Sequence, residues 1–183
     1  TRLEFKGRNI VFILYLSTMM IPITVRLIPS YNLCRNLNML DTYMGMILPQ
    51  VAWSIPFGTF LMRQFYMGIP KQLDEAAKID GANHFQIFWK ILLPNTKSSM
   101  TTLGIYTFIS AWNNLIWMLL SVRSEGKWTV TLGISSICGA SVIKQPTWNL
   151  IMGVIVIGMI PVLILFFAFQ KYFMQSVAAT GIK

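Results

Sequence analysis

Covalent chemistry needs acids, bases, nucleophiles or metal ligands gathered at fixed spacings, and this chain of 183 residues holds few of them. Its six Asp+Glu, one histidine and two cysteines are scattered. Cys34 and Cys138 lie far apart without a CxxC pair or a His cluster, and read as packing residues rather than a disulfide or metal site. His84 stands alone at a helix start and reads as a surface group. No G-x-x-x-x-G-K-[ST], HExxH or GxSxG run occurs, so the chain shows no sequence seat for ATP, catalytic zinc or a serine nucleophile. Enzymatic activity and a cofactor of its own are not expected.

What the residues offer is recognition, in two groups. The first lies inside apolar stretches: Arg26, Gln50, Ser54, Trp112, Asn113 and Asn114. A buried amide must be paired, so Asn113 and Asn114 face protein or water rather than lipid. They serve either as contacts between helices or, beside Trp112 and Trp117, as a carbohydrate-type surface of aromatic platforms and amides. Arg26 either snorkels to an interface or lines an outer path, where a guanidinium suits phosphate or hydroxyl groups.

The second group fills the polar segment Arg63–Lys97. Pro70 is expected in a first helical turn, followed by Asp74 and Glu75 near the positive end of the helix dipole. Asp74 and Lys78 are spaced for an i,i+4 pair. Leu73, Ala76 and Ala77 share a shallow face that lets another backbone approach closely. Gly81 ends this helix, Asn83 caps the next with Gln86 in the capping-box place, and Pro94 stops it. Phe85, Phe88, Trp89 and Leu92 repeat at helical spacing, the pattern of a helix lying at a membrane interface or under a bundle. Two short helices with a glycine bend are either a docking elbow or a hairpin that joins its neighbours.

The elements that carry these groups follow from composition. Apolar residues are 55% and charged residues 11% of the chain, with mean hydropathy +0.59. A soluble domain has about 25% charged residues, so a cytosolic enzyme or a disordered chain is excluded and a lipid-dissolved protein remains. The net charge of +9 does not gather on one face with stacking aromatics, which argues against nucleic acid. Uncharged stretches predict four spans at Ile10–Val25, Thr42–Met62, Ser98–Val122 and Gln145–Gln170, each near the roughly 20 residues that cross a bilayer core. Pro22, Pro49, Pro56 and Pro161 fall within them and are expected to kink them. Trp128–Ile143, rich in Ser, Thr and Gly, reads as an extracytoplasmic loop with a short helix or re-entrant piece. With both ends inside, ten basic residues fall on the inner side against four outside, as the positive-inside rule demands.

Glu75-Ala76-Ala77, Gly81, Ile91 and Leu93-Pro94 stand at the spacing EAA-x3-G-x9-I-x-L-P. That pattern resembles the EAA motif of binding-protein-dependent ABC transporter permeases, and every fixed position agrees. Leu61–Tyr66, Ala111–Asn114 and Gln170–Phe173 also look like the carbohydrate-uptake branch, most of all its maltose-type and sn-glycerol-3-phosphate-type second permease subunits. The resemblance implies an all-α integral membrane protein, a polytopic bundle of the type I importer (MetI-like) kind with about four transmembrane helices in this chain. It makes residues 1–183 a partial transmembrane domain whose two first spans are missing, with 64–97 as a cytoplasmic coupling loop.

The same resemblance implies that Glu75, Ala76, Ala77, Asp80, Gly81, Ile91, Leu93 and Pro94 couple the spans to an ATPase. Asp80 would pair with that partner or with Lys78. The expected partners are a second homologous permease, two ATPase subunits that hold ATP and Mg2+, an extracytoplasmic solute-binding protein and the lipid of the cytoplasmic membrane. The expected function is import of a sugar or sn-glycerol-3-phosphate; a membrane scaffold that only anchors a partner is the alternative.

Overall fold

A chain in hydrocarbon must satisfy its backbone N–H and C=O groups internally, which leaves helices as the solution for apolar runs without period-2 alternation. The computed structural model describes residues 2–144 and 148–181, with side chains at 2–139 and 148–170. Every regular element among the described residues is helical. In order these are α1 (Arg8–Ser17), α2 (Ile23–Asn36), α3 (Tyr43–Gly68), α4 (Gln72–Ile79), α5 (His84–Ile87), α6 (Leu93–Asn95), α7 (Lys97–Trp112), α8 (Leu115–Ser121), α9 (Val130–Lys144) and α10 (Trp148–Gly181).

Two of these helices, α3 and α10, are long and apolar enough to cross a bilayer. The α1/α2 and α7/α8 pairs add two more if each bent pair is one span, which gives the four expected. The lipid-facing character is plain in α10, whose most apolar stretch is only 11% buried by the rest of the protein. Ile157, Ile164 and Phe167 are each more than 60% exposed. An uninterrupted apolar surface of that kind does not persist in water. The expected span Gln145–Gln170 begins outside the described residues, as do the side chains of Lys144, Lys171 and Lys183.

Two expected spans are not single helices. The first breaks between Ser17 and Ile23. Ser17 and Thr18 hydroxyls donate to the carbonyls of Leu14 and Tyr15, both at 2.7 Å, and close the end of α1. Pro22 is extended (φ −55°, ψ 141°) and forces the preceding residue out of the helical region, so α2 restarts after it. The third breaks at Asn113–Asn114, where α7 and α8 meet at 54°. Asn114 accepts the Trp117 N–H at 3.3 Å, which makes it an N-cap rather than a mid-helix residue. The stretch expected as a loop with a short helix or re-entrant piece is the 15-residue α9, shorter than the roughly 20 residues that cross a bilayer core.

The chain divides into two compact units. The first comprises Thr1–Met19, Ile55–Ile105 and Phe169–Lys183. Within it α3 meets α7 at Gly58, where a Cβ would make an ordinary contact with Leu103 at 3.4 Å. The Arg63 guanidinium lies 3.8 Å from the Phe12 ring centroid and ties α1 to α3. The second comprises Met20–Ser54 and Tyr106–Ala168. Its core gathers Leu27, Cys34, Met46, Trp117, Met118, Val122 and Leu132. Trp117 is fully buried, with Trp53 edge-on at 5.2 Å. Cys34 is thus a packing residue, as expected.

Candidate functional site: the elbow and the polar pairs

In the first unit the segment 70–96 is a bent element, and each of its corners has a local cause. Gly81 has φ +80°. The Ala82 N–H bonds the Ala77 carbonyl at 2.9 Å and the Gly81 N–H bonds the Lys78 carbonyl at 3.0 Å. These are the two bonds of a Schellman termination, which needs a left-handed residue at that point. Two residues later Asn83 Oδ1 accepts the Gln86 N–H at 2.8 Å and Gln86 Oε1 accepts the Asn83 N–H at 2.9 Å, the reciprocal capping box expected from sequence.

Several expectations for this segment change. Pro70 lies outside the first turn, because α4 begins at Gln72 after the N-cap Lys71. Pro94 does not stop the second helix. A π-helical turn, Phe88–Leu92, precedes it, and the Leu93 N–H reaches back to the Phe88 carbonyl. The chain stays helical through Asn95 and breaks at Thr96, whose buried hydroxyl donates to the Leu92 and Leu93 carbonyls. The wider turn accommodates proline, which has no N–H to donate. Asp74 pairs with Arg2 at 3.1 Å rather than with Lys78. Among the described residues no ion pair joins Asp80 to Lys78.

The motif residues part into two sets. Glu75, Ala76, Asp80, Gly81 and Pro94 are exposed, together with Ile79 at 87%. Ala77 is buried at 7% and packs with Ile87, Leu92, Ile91, Ala82, Tyr66 and Ile69. Ala77 and half-buried Ile91 therefore hold the elbow shut, and of the expected face Leu73 and Ala76 stay exposed. Leu93 is half-buried. Of the expected apolar ridge Phe85, Phe88 and Trp89 are exposed, with the Phe85 and Trp89 ring centroids 6.0 Å apart, whereas Leu92 turns inward into the buried cluster.

In the second unit only some candidate polar residues meet. Asn114 Nδ2 donates to Gln50 Oε1 at 3.0 Å, and Gln50 Nε2 donates to the Met46 carbonyl at 2.9 Å. Arg26 lies over Trp53 at 5.8 Å, and its Nε is buried without a hydrogen-bond partner. Trp112 acts as a packing residue: Nε1 donates to the Gly158 carbonyl at 3.3 Å, its ring stacks on Phe108, and its carbonyl accepts the Thr131 hydroxyl. Asn113 is exposed apart from this network, and Ser54 bonds its own helix at Val51.

Sequence reasoning missed two residues. Arg2 donates to the Tyr66 and Ile69 carbonyls at 3.1 and 2.6 Å besides its bond to Asp74. Asp41, at φ +57°, accepts the Arg123 and Ser124 N–H groups at 3.0 Å each, and its other oxygen takes the Ser124 hydroxyl and faces Lys127 at 3.5 Å. These hydrogen bonds, Ser124 first, hold the carboxyl far below the usual carboxylate range. The only signal for Asp41 was an acid in a short polar gap; Arg2 stood out only as one of the ten basic residues assigned to the inner side.

The chain is 34% identical over 180 residues to the arabinooligosaccharides transport system permease protein AraQ of Bacillus subtilis, covering 98% of this chain and 62% of AraQ. It is 38% identical over 174 residues to the sn-glycerol-3-phosphate transport system permease protein UgpE of Yersinia enterocolitica, covering 94% of this chain and 60% of UgpE. The probable ABC transporter permease protein YurM of Bacillus subtilis is 33% identical over all 183 residues, which cover 60% of it. The chain thus spans about three-fifths of the length of these relatives. Residues 1–179 match the family described as binding-protein-dependent transport system inner membrane component, and the chain belongs to that family.

Proposed function

We propose that the chain is the membrane permease part of an ATP-driven importer for a sugar or related polyol phosphate, with the elbow as its coupling element. The observation that carries this is the elbow itself: an exposed rim of Glu75, Ala76, Ile79 and Asp80 on a body stiffened by the Schellman bend, the capping box and the Ala77–Ile87–Leu92 cluster. A push on such a body moves it as a unit instead of being absorbed by loose loops. Glu75 supplies an anion for a partner's Arg or backbone donors, and Ala76 allows close approach. Covalent continuity carries the motion into α3 and α7.

The partners are a second homologous permease, two ATPase subunits that bind ATP and Mg2+, and an extracytoplasmic binding protein. The elbow faces the cytoplasm, and both ends of the chain lie on that side. Arg26 and the Gln50–Asn114 pair are the solute-facing candidates. The relatives named for arabinooligosaccharide and sn-glycerol-3-phosphate transport support this substrate range. The test is the complete assembly in liposomes. Solute delivered by the binding protein should stimulate ATP hydrolysis and accumulate inside, and Gly81→Pro should abolish uptake while the assembly remains in the membrane. An assembly that neither hydrolyses ATP nor moves solute, or wild-type uptake by Gly81→Pro, would overturn the reading.

A further inference from the structure

We propose that Arg2 is a positioning residue that makes the elbow and α1 move as one body; the inference rests on the coupling role given to the elbow above. One guanidinium spans the corner between two helices. Nη2 donates to the Tyr66 and Ile69 carbonyls at the end of α3. Nη1 meets Asp74 Oδ2 at 3.1 Å in the first turn of α4. The end of a helix leaves carbonyls without intrahelical partners and carries partial negative charge, so a cation is held there doubly. The two side chains are only 16% and 13% exposed, which makes this a desolvated clamp rather than a surface ion pair.

Three acceptors in this arrangement need the planar fork of arginine; a lysine ammonium is a compact point charge without that fixed geometry. The same short segment leads into α1, which the Arg63–Phe12 contact fastens to α3. Chain connectivity links the elbow to α3 and α7. Arg2 and Arg63 add α1, which the chain itself joins to the elbow only by way of α2 and α3. A stroke delivered at Glu75 and Asp80 therefore reaches a third membrane-entering helix through Arg2.

The experiment uses the complete assembly with its ATPase and binding protein. Spin labels at exposed Ile13 on α1 and exposed Ile79 on α4 report their separation with and without nucleotide. In the Arg2-containing protein the distance distribution stays narrow and unchanged between the two states. In Arg2→Ala it broadens and shifts with nucleotide, and uptake per ATP falls roughly tenfold, within the usual range of coupling between sites. Arg2→Lys restores the assembly's yield but not the narrow distribution. If Arg2→Ala fails to accumulate, isosteric Asp74→Asn, which keeps both carbonyl contacts, is read the same way. A distribution as narrow as that of the parent, with parental uptake per ATP, overturns the proposal. Gly81→Pro measured in parallel separates the two ideas. If it transports normally the elbow reading fails, whereas if it uncouples while the Arg2 and Asp74 variants behave as the parent, only the role of Arg2 falls.

Discussion

The indole N–H of Trp117 donates to the carbonyl oxygen of Gly45 at 3.0 Å, inside a core where Trp117 has no exposed surface. The bond fixes the start of α3 against α8. It also sets the place of Trp53, which stands edge-on to Trp117 and carries Arg26 over its face. Arg26 is thus linked, through two tryptophans, to a glycine carbonyl. Gly45 itself is packed so closely that a Cβ would stand 2.0 Å from the Met39 carbonyl oxygen.

Trp117→Phe removes the donor and leaves that carbonyl unsatisfied, so it should cost about 1–3 kcal/mol. Gly45→Ala should cost more, because the obstacle is backbone that cannot swing aside. Thermal melting of the detergent-solubilised protein, followed by near-ultraviolet circular dichroism, reads both. A Trp117→Phe midpoint equal to that of the parent would show that the bond adds nothing.

At Gly81 the situation is the reverse. The position is left-handed, yet nothing lies within 4 Å of where a Cβ would sit. Gly81→Ala should therefore cost only the backbone penalty, about 1–2 kcal/mol, and size beyond alanine should matter little. Gly81→Asn should cost less than alanine, since asparagine tolerates this region. Proline cannot adopt it and loses the N–H that bonds Lys78, so it should be the severe variant. Ranking uptake as Gly, then Asn, Ala and Pro checks this; an effect that tracks side-chain volume instead would point to a steric contact with a partner.

Why the elbow was legible and the polar network was not follows from the range of the interactions. The Asn83–Gln86 box and the Gly81 bend are closed by residues within five positions, and local chemistry determines them wherever the chain goes. Spans follow from apolar runs in the same way. The inward face of Ala77 was lost because its partners Ile87 and Leu92 lie across the bend, and a helical period alone does not say which side that bend closes. The break at Asn113–Asn114 looked like two amides inside a span, since apolar residues flank it on both sides. Arg2 with Tyr66, and Asp41 with Ser124, join residues 64 and 83 apart, a distance at which no spacing rule operates.

Gln50 and Asn114 should behave as a coupled pair. Asn114→Ala removes a helix cap worth about 1 kcal/mol and also frees the Gln50 oxygen. Gln50→Leu removes the cross-helix bond and Gln50's own bond to the Met46 carbonyl, but leaves the cap. A double-mutant cycle should therefore show a coupling energy of roughly 0.5–1 kcal/mol, with the residual Asn114 effect assigned to the cap. Measured on uptake as well as on melting, the cycle also separates packing from transport. Strict additivity in both readouts would mean that the 3.0 Å contact joins the helices in geometry only.

Asp41 should make the second unit sensitive to acid. Its carboxyl is held far below the ordinary value by the Ser124 hydroxyl, the Ser124 and Arg123 N–H groups and the nearby Lys127 charge. The sign follows from linkage. The folded state binds the proton more weakly than the unfolded chain, so this contribution is fully present above the unfolded pKa of about 3.9. It is lost as pH falls from there toward the lower folded value. Asp41→Asn keeps one carbonyl oxygen for the Arg123 and Ser124 N–H groups but gives up the charge that faces Lys127. The variant should melt lower than the parent at pH 6, and the gap should narrow as pH is taken below 4. Melting curves of both proteins from pH 6 to pH 3 decide it. A gap that stays constant over that range would assign the loop contact to shape and hydrogen bonding alone, with no part for the ionised carboxylate.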